Sequence, residues 1–93
     1  MVEEYYVWDE ASYDTVAAAG LDWQLVQLIL RTRPRIRTHI GAVLRVVAQA
    51  PDRRWIVVSL IEQTDDTYLL VAARELDAEE STAAQRMIEG GRR

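Results

Sequence analysis

Leu25, Leu28 and Ile29 recur three and four residues apart, the spacing that lines up one side of a helix. This predicts a helix opening at Asp22, with Leu21 and Val26 at the hydrophobic-staple positions around that N-cap. Arg31 and Arg33 sit at its end, where cations suit the helix dipole, and Pro34 stops it. An earlier helix-favouring run, Ala11 to Ala19, follows an N-cap at Asp9 and ends before Gly20. Ahead of both, Tyr5-Tyr6-Val7-Trp8 is aromatic and β-branched and reads as a strand.

Past Pro34 the period falls to two. Arg35, Arg37 and His39 alternate with Ile36, Thr38 and Ile40, so the basic residues share one strand face. Gly41 marks a turn or bulge, and 42–48 is a second strand interrupted only by Arg45. Runs 55–61 and 68–73 are almost wholly apolar, with Pro51-Asp52 and Thr64-Asp65-Asp66-Thr67 as the turns that separate the runs. Asp77-Ala78-Glu79-Glu80 is a capping-box variant opening a last helix, with Ala84, Met87 and Ile88 on its apolar side. Gly90-Gly91-Arg92-Arg93 reads as a frayed tail.

The fold class expected is α+β in a single domain over residues 1–93. It comprises an N-terminal strand and two helices, a three- to four-stranded antiparallel β-meander over 35–75, and a C-terminal helix. The apolar strands 55–61 and 68–73 want cover on both faces, which a chain this short does not supply, so a homodimer is expected.

Charge changes the picture in one segment. Residues 1–30 carry six acids and no base; residues 31–54 carry seven arginines and one aspartate; residues 55–93 carry eight acids and four arginines. The net charge of -4 therefore hides a segment of net +6 between two acidic ones. An acidic chain is a poor non-specific ligand for nucleic acid, but a local basic face suits one phosphate-bearing or acidic partner. All eleven basic residues are arginine, the cation that makes bidentate contacts with phosphate and carboxylate.

Other chemistry is excluded or unsupported. There is no cysteine, so disulfides and thiolates are out, and the single histidine cannot build a histidine-rich metal site within one chain. No Gly-rich phosphate loop, nucleophile elbow, zinc spacing or EF-hand pattern occurs, and no cofactor is expected. No apolar run approaches the roughly 20 residues that span a bilayer, and Met1-Val2-Glu3-Glu4 lacks the basic start of a secretory signal. A cytoplasmic location without membrane contact is the expectation.

Three patches carry a likeness: Trp8-Asp9-Glu10, Gly20-Leu21 with the helix after it, and Ala73-Arg74-Glu75-Leu76-Asp77-Ala78-Glu79-Glu80. With the element order, they resemble the BrnT-like toxins of bacterial toxin–antitoxin systems, part of the wider RelE-like ribonuclease group. The patches are similar to that family's opening Trp-Asp-Glu, its Lys-His-Gly-Val helix-to-helix turn, and its closing Ala-Arg-x-x-Thr-x-x-Glu. The resemblance implies a metal-independent endoribonuclease acting on RNA, silenced by an antitoxin protein, with Arg74 contacting the substrate. Ala18-Ala19 stand where the family has Lys-His, Ala83-Ala84-Gln85 replace an arginine-rich run, and the chain is acidic where those toxins are basic. These departures keep open a non-catalytic interaction or dimerisation module of the same fold.

Four side chains form the candidate catalytic set. Arg74 ends an apolar strand beside a helix start, where a cation stabilises a phosphoryl transition state. Arg45 is a lone charge inside an apolar strand. Arg54 flanks a turn, with Arg53. His39 is the residue type that moves protons near neutral pH. Each has a plainer alternative: a salt bridge for Arg74, a solvated edge for Arg45, a solvated turn for Arg54, a solvated strand face for Arg35, Arg37 and His39. Glu62 is a further general-base candidate, and Trp8, Trp23 and Trp55 read as core or interface anchors before base-stacking platforms.

Overall fold

Eight elements follow one another in a computed structural model that describes residues 4–90. They are β1 (Tyr5–Val7), α1 (Glu10–Ala18), α2 (Trp23–Arg31), β2 (Ile36–Ile40), β3 (Val43–Gln49), β4 (Trp55–Thr64), β5 (Thr67–Glu75) and α3 (Ala78–Gly90). The sequence features at 1–3 and in the tail beyond Gly90 lie outside the described residues.

The local signals act as their chemistry requires. The Asp9 carboxylate accepts the Ser12 N–H (2.8 Å) while the Ser12 hydroxyl accepts the Asp9 N–H (3.2 Å), closing a capping box at α1. Gly20 takes φ +75, and the chain turns at once into Leu21, buried with Val26 around the Asp22 cap of α2. That helix ends at Arg31, so Arg33 falls in the connection before β2 and not in the last turn. Gly41 at φ +60 opens the tight turn between β2 and β3. At α3 the Glu80 N–H donates to Asp77 (2.8 Å) and the Asp77 N–H to Glu80 (3.1 Å), the reciprocal pair expected from the sequence.

The strands form one sheet in the order β1-β5-β4-β3-β2. β2 to β5 are the antiparallel meander expected over 35–75. β1 adds at the far edge, parallel to β5, with Tyr5 opposite Thr67 and Val7 opposite Leu69. Local pattern does not reveal that pairing, because its partner lies some sixty residues on in the chain.

Strand register sorts the side chains onto two faces. Leu44, Val46, Ala48, Ile56, Val58, Leu60, Tyr68 and Leu70 are buried together with Val16, Leu21, Val26, Ile29 and Leu30 of the α1–α2 layer. The other face carries Trp55 and Val57, buried outside that cluster, with Gln49 opposite Trp55 and Arg74 opposite Val57. Gln85, Ile88 and Glu89 of α3 border a small groove with Gln49 and Trp55, so α3 shields only this end of the second face. At the other end Ile40, Val43, Ile61 and Leu69 form one row across four strands, with Ile40 60% exposed and Ile61 36%.

The sheet is strongly curled. β5 and β2 are three strand spacings apart, about 14 Å in a flat sheet. Yet the ring of His39 on β2 lies 6.1 Å from that of Tyr68 on β5. The two edges therefore bend toward each other over the helix-bearing face, and a cleft opens between them.

Candidate functional site

The cleft has a volume of about 990 Å³ and lies between the β1 edge and the α2–β2 connection. Arg31, Arg33, Arg35 and Arg37 line one side, and Tyr5, Tyr6 and Trp8 line the other, with Glu4 and Asp66 among them. The arginines arrive together because α2 ends at Arg31 and the chain then extends, placing alternate residues 33, 35 and 37 along one track.

Glu4 is the hub of this arrangement. Its side chain is only 15% exposed and forms ion pairs with Arg35 (3.7 Å) and Arg37. The Tyr6 hydroxyl donates to the same carboxylate at 2.9 Å. Arg35 also donates to the Leu30 carbonyl (2.7 Å), which ties the basic strand to the end of α2. Tyr6 packs against Tyr68 with ring centroids 6.4 Å apart, and Tyr68 in turn meets His39. One chain of contacts thus links a carboxylate, two guanidiniums, two phenols and an imidazole on a single face. Among the described residues, Arg31 and Arg33 have no carboxylate partner.

The four candidate catalytic residues do not converge. His39 lies on the helix-bearing face opposite Leu44, and Arg37 two residues back faces the cleft. Glu62 is opposite Tyr68 at the exposed end of the same face. Arg45 and Arg74 are on the other face, where Arg45 is opposite Ser59 and contributes to the field at Glu80. Arg74 is gripped by both Glu80 oxygens, at 2.8 and 2.7 Å. This bidentate bond, then the Asp77 backbone, holds the Glu80 carboxyl at about 2, well below its ordinary 4.5. Arg54 pairs with Asp52 (2.7 Å) in its own turn and more distantly with Glu75 (3.9 Å). The Arg54 backbone N–H and then its guanidinium hold Asp52 below the usual carboxylate range.

Sequence pattern singled out Arg35, Arg37 and His39 as one basic face, and it passed over Glu4, Tyr6 and Tyr68. Nothing local marks those three as functional: beyond the Tyr6–Glu4 contact, their partners lie about thirty residues or more away and meet them only because the sheet curls. The three tryptophans also separate. Trp8 packs beside the core and against Tyr13 (5.0 Å), Trp23 stands 44% exposed at the far edge of Tyr13, and Trp55 is buried on the second face. Only Trp8 lines the cleft.

No group of three or more potential metal ligands occurs among the described residues, and no described helix is long and apolar enough to cross a membrane. No protein-family model matches the chain, and no curated protein matches it. Among solved structures, the chain is similar to the ribonuclease toxin BrnT of Brucella abortus, with a TM-score of 0.59 at 15% identity. The match covers 80% of this chain and 97% of that one. The class defined is therefore an α+β fold of the BrnT kind, and the likeness holds at the level of fold.

Proposed function

We propose that this chain is the toxin component of a toxin–antitoxin pair and acts on single-stranded RNA held in the arginine-lined cleft. The observation that carries this reading is the convergence of four arginines and three aromatic rings on one cleft. Guanidiniums neutralise successive phosphates, and aromatic faces stack unpaired bases without demanding a sequence. The fold likeness to a ribonuclease toxin supports the lineage, and with it an antitoxin partner. The acidic remainder of the chain limits non-specific binding elsewhere on the surface.

The test pairs growth after induction with fluorescence anisotropy on a labelled single-stranded RNA. Induction should slow growth. Arg31→Ala with Arg33→Ala should relieve the slowing and weaken RNA binding by on the order of tenfold, since charge-assisted contacts are the strong ones. A well-folded protein that neither slows growth nor retains RNA removes this reading.

The second reading, a non-catalytic interaction module, is favoured by one observation. Arg74, the residue assigned to the substrate by family resemblance, has both its terminal nitrogens bonded to Glu80 on the face opposite the cleft. A folded sample that binds an antitoxin-like protein and leaves RNA intact would establish that alternative.

A further inference from the structure

A cleft lined by four arginines attracts anions, and Glu4 opposes them. Its carboxylate borders the same cleft, between Arg35 (3.7 Å) and Arg37. A phosphate is repelled from that point, because like charges close together oppose each other. The carboxylate is nonetheless firmly held. The Tyr6 hydroxyl donates to Oε1 at 2.9 Å, and Arg35, its side chain only 12% exposed, is anchored in turn to the Leu30 carbonyl. A carboxylate offers about four acceptor positions, two on each oxygen. At Oε1 the Tyr6 hydroxyl occupies one of them, while Arg35 stands at ion-pair distance, and Oε2 takes Arg37. Each oxygen therefore keeps an acceptor position, on a side chain fixed in place at the wall of the cleft. The ligand group that matches is a pair of neighbouring N–H donors.

We infer that Glu4 reads guanine, a base specificity that rests on the RNA reading above. In a single strand the Watson–Crick edges of the bases are open to side chains. Among the RNA bases, guanine alone carries two adjacent donors on that edge, the N–H groups at N1 and N2, and they match the two oxygens of one carboxylate. Adenine and cytosine set a single amine beside a ring nitrogen whose lone pair opposes the carboxylate. Uracil has one N–H between two carbonyl oxygens. The rest of the cleft provides what a read base also needs. Tyr5, exposed and next to Glu4 in the chain, and Trp8 line it as rings on which a base stacks. Arg31 and Arg33, without a carboxylate partner among the described residues, take flanking phosphates. Arg37, with its side chain 34% exposed, keeps donors beyond the Glu4 contact for the phosphate nearest the base. Stacking and phosphate contacts accept any sequence, and Glu4 adds the preference that they lack.

Glu4 also ties the β1 edge of the sheet to β2, and a clamp differs from a reader in what its loss changes. The experiment measures fluorescence anisotropy of the full chain with short labelled uridine RNAs that differ in one central base. Wild-type protein should bind the guanosine RNA more tightly than the adenosine, cytidine or all-uridine RNA by on the order of tenfold or more, the discrimination of a bidentate base contact. Inosine, which is guanosine without the N2 amine, should fall between guanosine and adenosine. Glu4→Gln puts a donor where one acceptor stood. It should bring the guanosine and adenosine RNAs to within about threefold of each other, as expected once the bidentate contact is lost. The adenosine RNA should bind this variant at least as tightly as it binds wild type, because the charge opposing the phosphates has gone. Loss of a clamp alone would weaken every RNA alike and leave the preference intact. Circular dichroism checks that the variant is folded. The comparison of guanosine, inosine and adenosine needs wild-type protein only, so it decides the matter if Glu4→Gln does not fold. The inference is overturned if wild-type protein binds all the RNAs equally or binds inosine as tightly as guanosine. It is also overturned if folded Glu4→Gln keeps the preference, or if Asp66→Asn abolishes it in place of Glu4→Gln. Equal binding of every RNA leaves the RNA reading standing. Failure to bind any of them removes both.

Discussion

The guanidinium of Arg74 and the carboxylate of Glu80 face each other through two parallel hydrogen bonds, joining the last strand to the first turn of the last helix. Glu80 also caps that helix through the Asp77 backbone, so one carboxylate serves the strand, the loop and the helix. Its pKa is depressed in the folded chain, from an ordinary 4.5 to about 2. The pair's contribution is therefore present above about pH 4.5 and disappears as the pH falls toward 2. Solvent exposure keeps it small. Arg74→Gln should lower the melting temperature slightly at pH 7 and not at pH 2, as thermal melts at the two pH values would show. An equal difference at both would contradict the pairing.

The same geometry bears on activity. A cation at a developing phosphorane charge contributes on the order of 10²–10³ in rate. Arg74 and the cleft lie on opposite faces of the sheet. Arg74→Ala should accordingly leave RNA cleavage within a few-fold of wild type, whereas Arg37→Ala should fall into the larger range. A large loss with Arg74→Ala would return that residue to the substrate and displace the cleft.

Salt offers an independent measure. Each phosphate neutralised on a single strand contributes about −0.7 to the slope of log affinity against log salt. Removing Arg31 and Arg33 together should flatten that slope by about 1.4. Titrations at three or four ionic strengths suffice, and an unchanged slope would place those arginines off the RNA.

Ser12 is the one buried polar side chain among the described residues, and its hydroxyl donates to the Leu70 carbonyl at 2.6 Å. Next to that point the pairing of β4 with β5 shifts register, from Leu60 opposite Leu70 to Ser59 opposite Ala72. Ser12→Ala deprives a buried carbonyl of its donor and opens the α1 capping box. It should cost about 1–3 kcal/mol in urea denaturation. A change below about 0.5 kcal/mol would mean that the carbonyl finds another partner.

The row Ile40, Val43, Ile61 and Leu69 remains uncovered by α3, and it is the surface on which a second copy is expected to pack. Light scattering at tens of micromolar should find a dimer, and Ile40→Glu with Ile61→Glu should find monomer. A wild-type monomer under the same conditions would refute self-association through this row.

How much of this was legible in the sequence depends on distance along the chain. The caps at Asp9 and Asp77, the stop at Pro34, the two turns and the antiparallel meander all follow from residues within a few positions of one another, and each is present. The strand at Tyr5–Val7 was legible as a strand, but not its parallel place beside β5, because β1 meets its partner only through the finished sheet. The basic face of Arg35, Arg37 and His39 could be read from alternation. Its carboxylate could not, since Glu4 belongs to the opposite edge and reaches the arginines only across the curl. Arg45 and Arg74 drew attention as charges in apolar strands, and register shows that their strand face is not the one the cleft occupies.

The pairing of β1 with β5 also bears on synthesis. The first strand leaves the ribosome some sixty residues before Thr67 to Leu69, against which it lies. Until then Glu4 and Tyr6 have no edge to hold them opposite Arg35 and Arg37. An unfinished chain therefore carries all four arginines without the groove they line. If the cleft acts on RNA, the translation machinery that makes the chain is exposed to it only after the last strand has been completed.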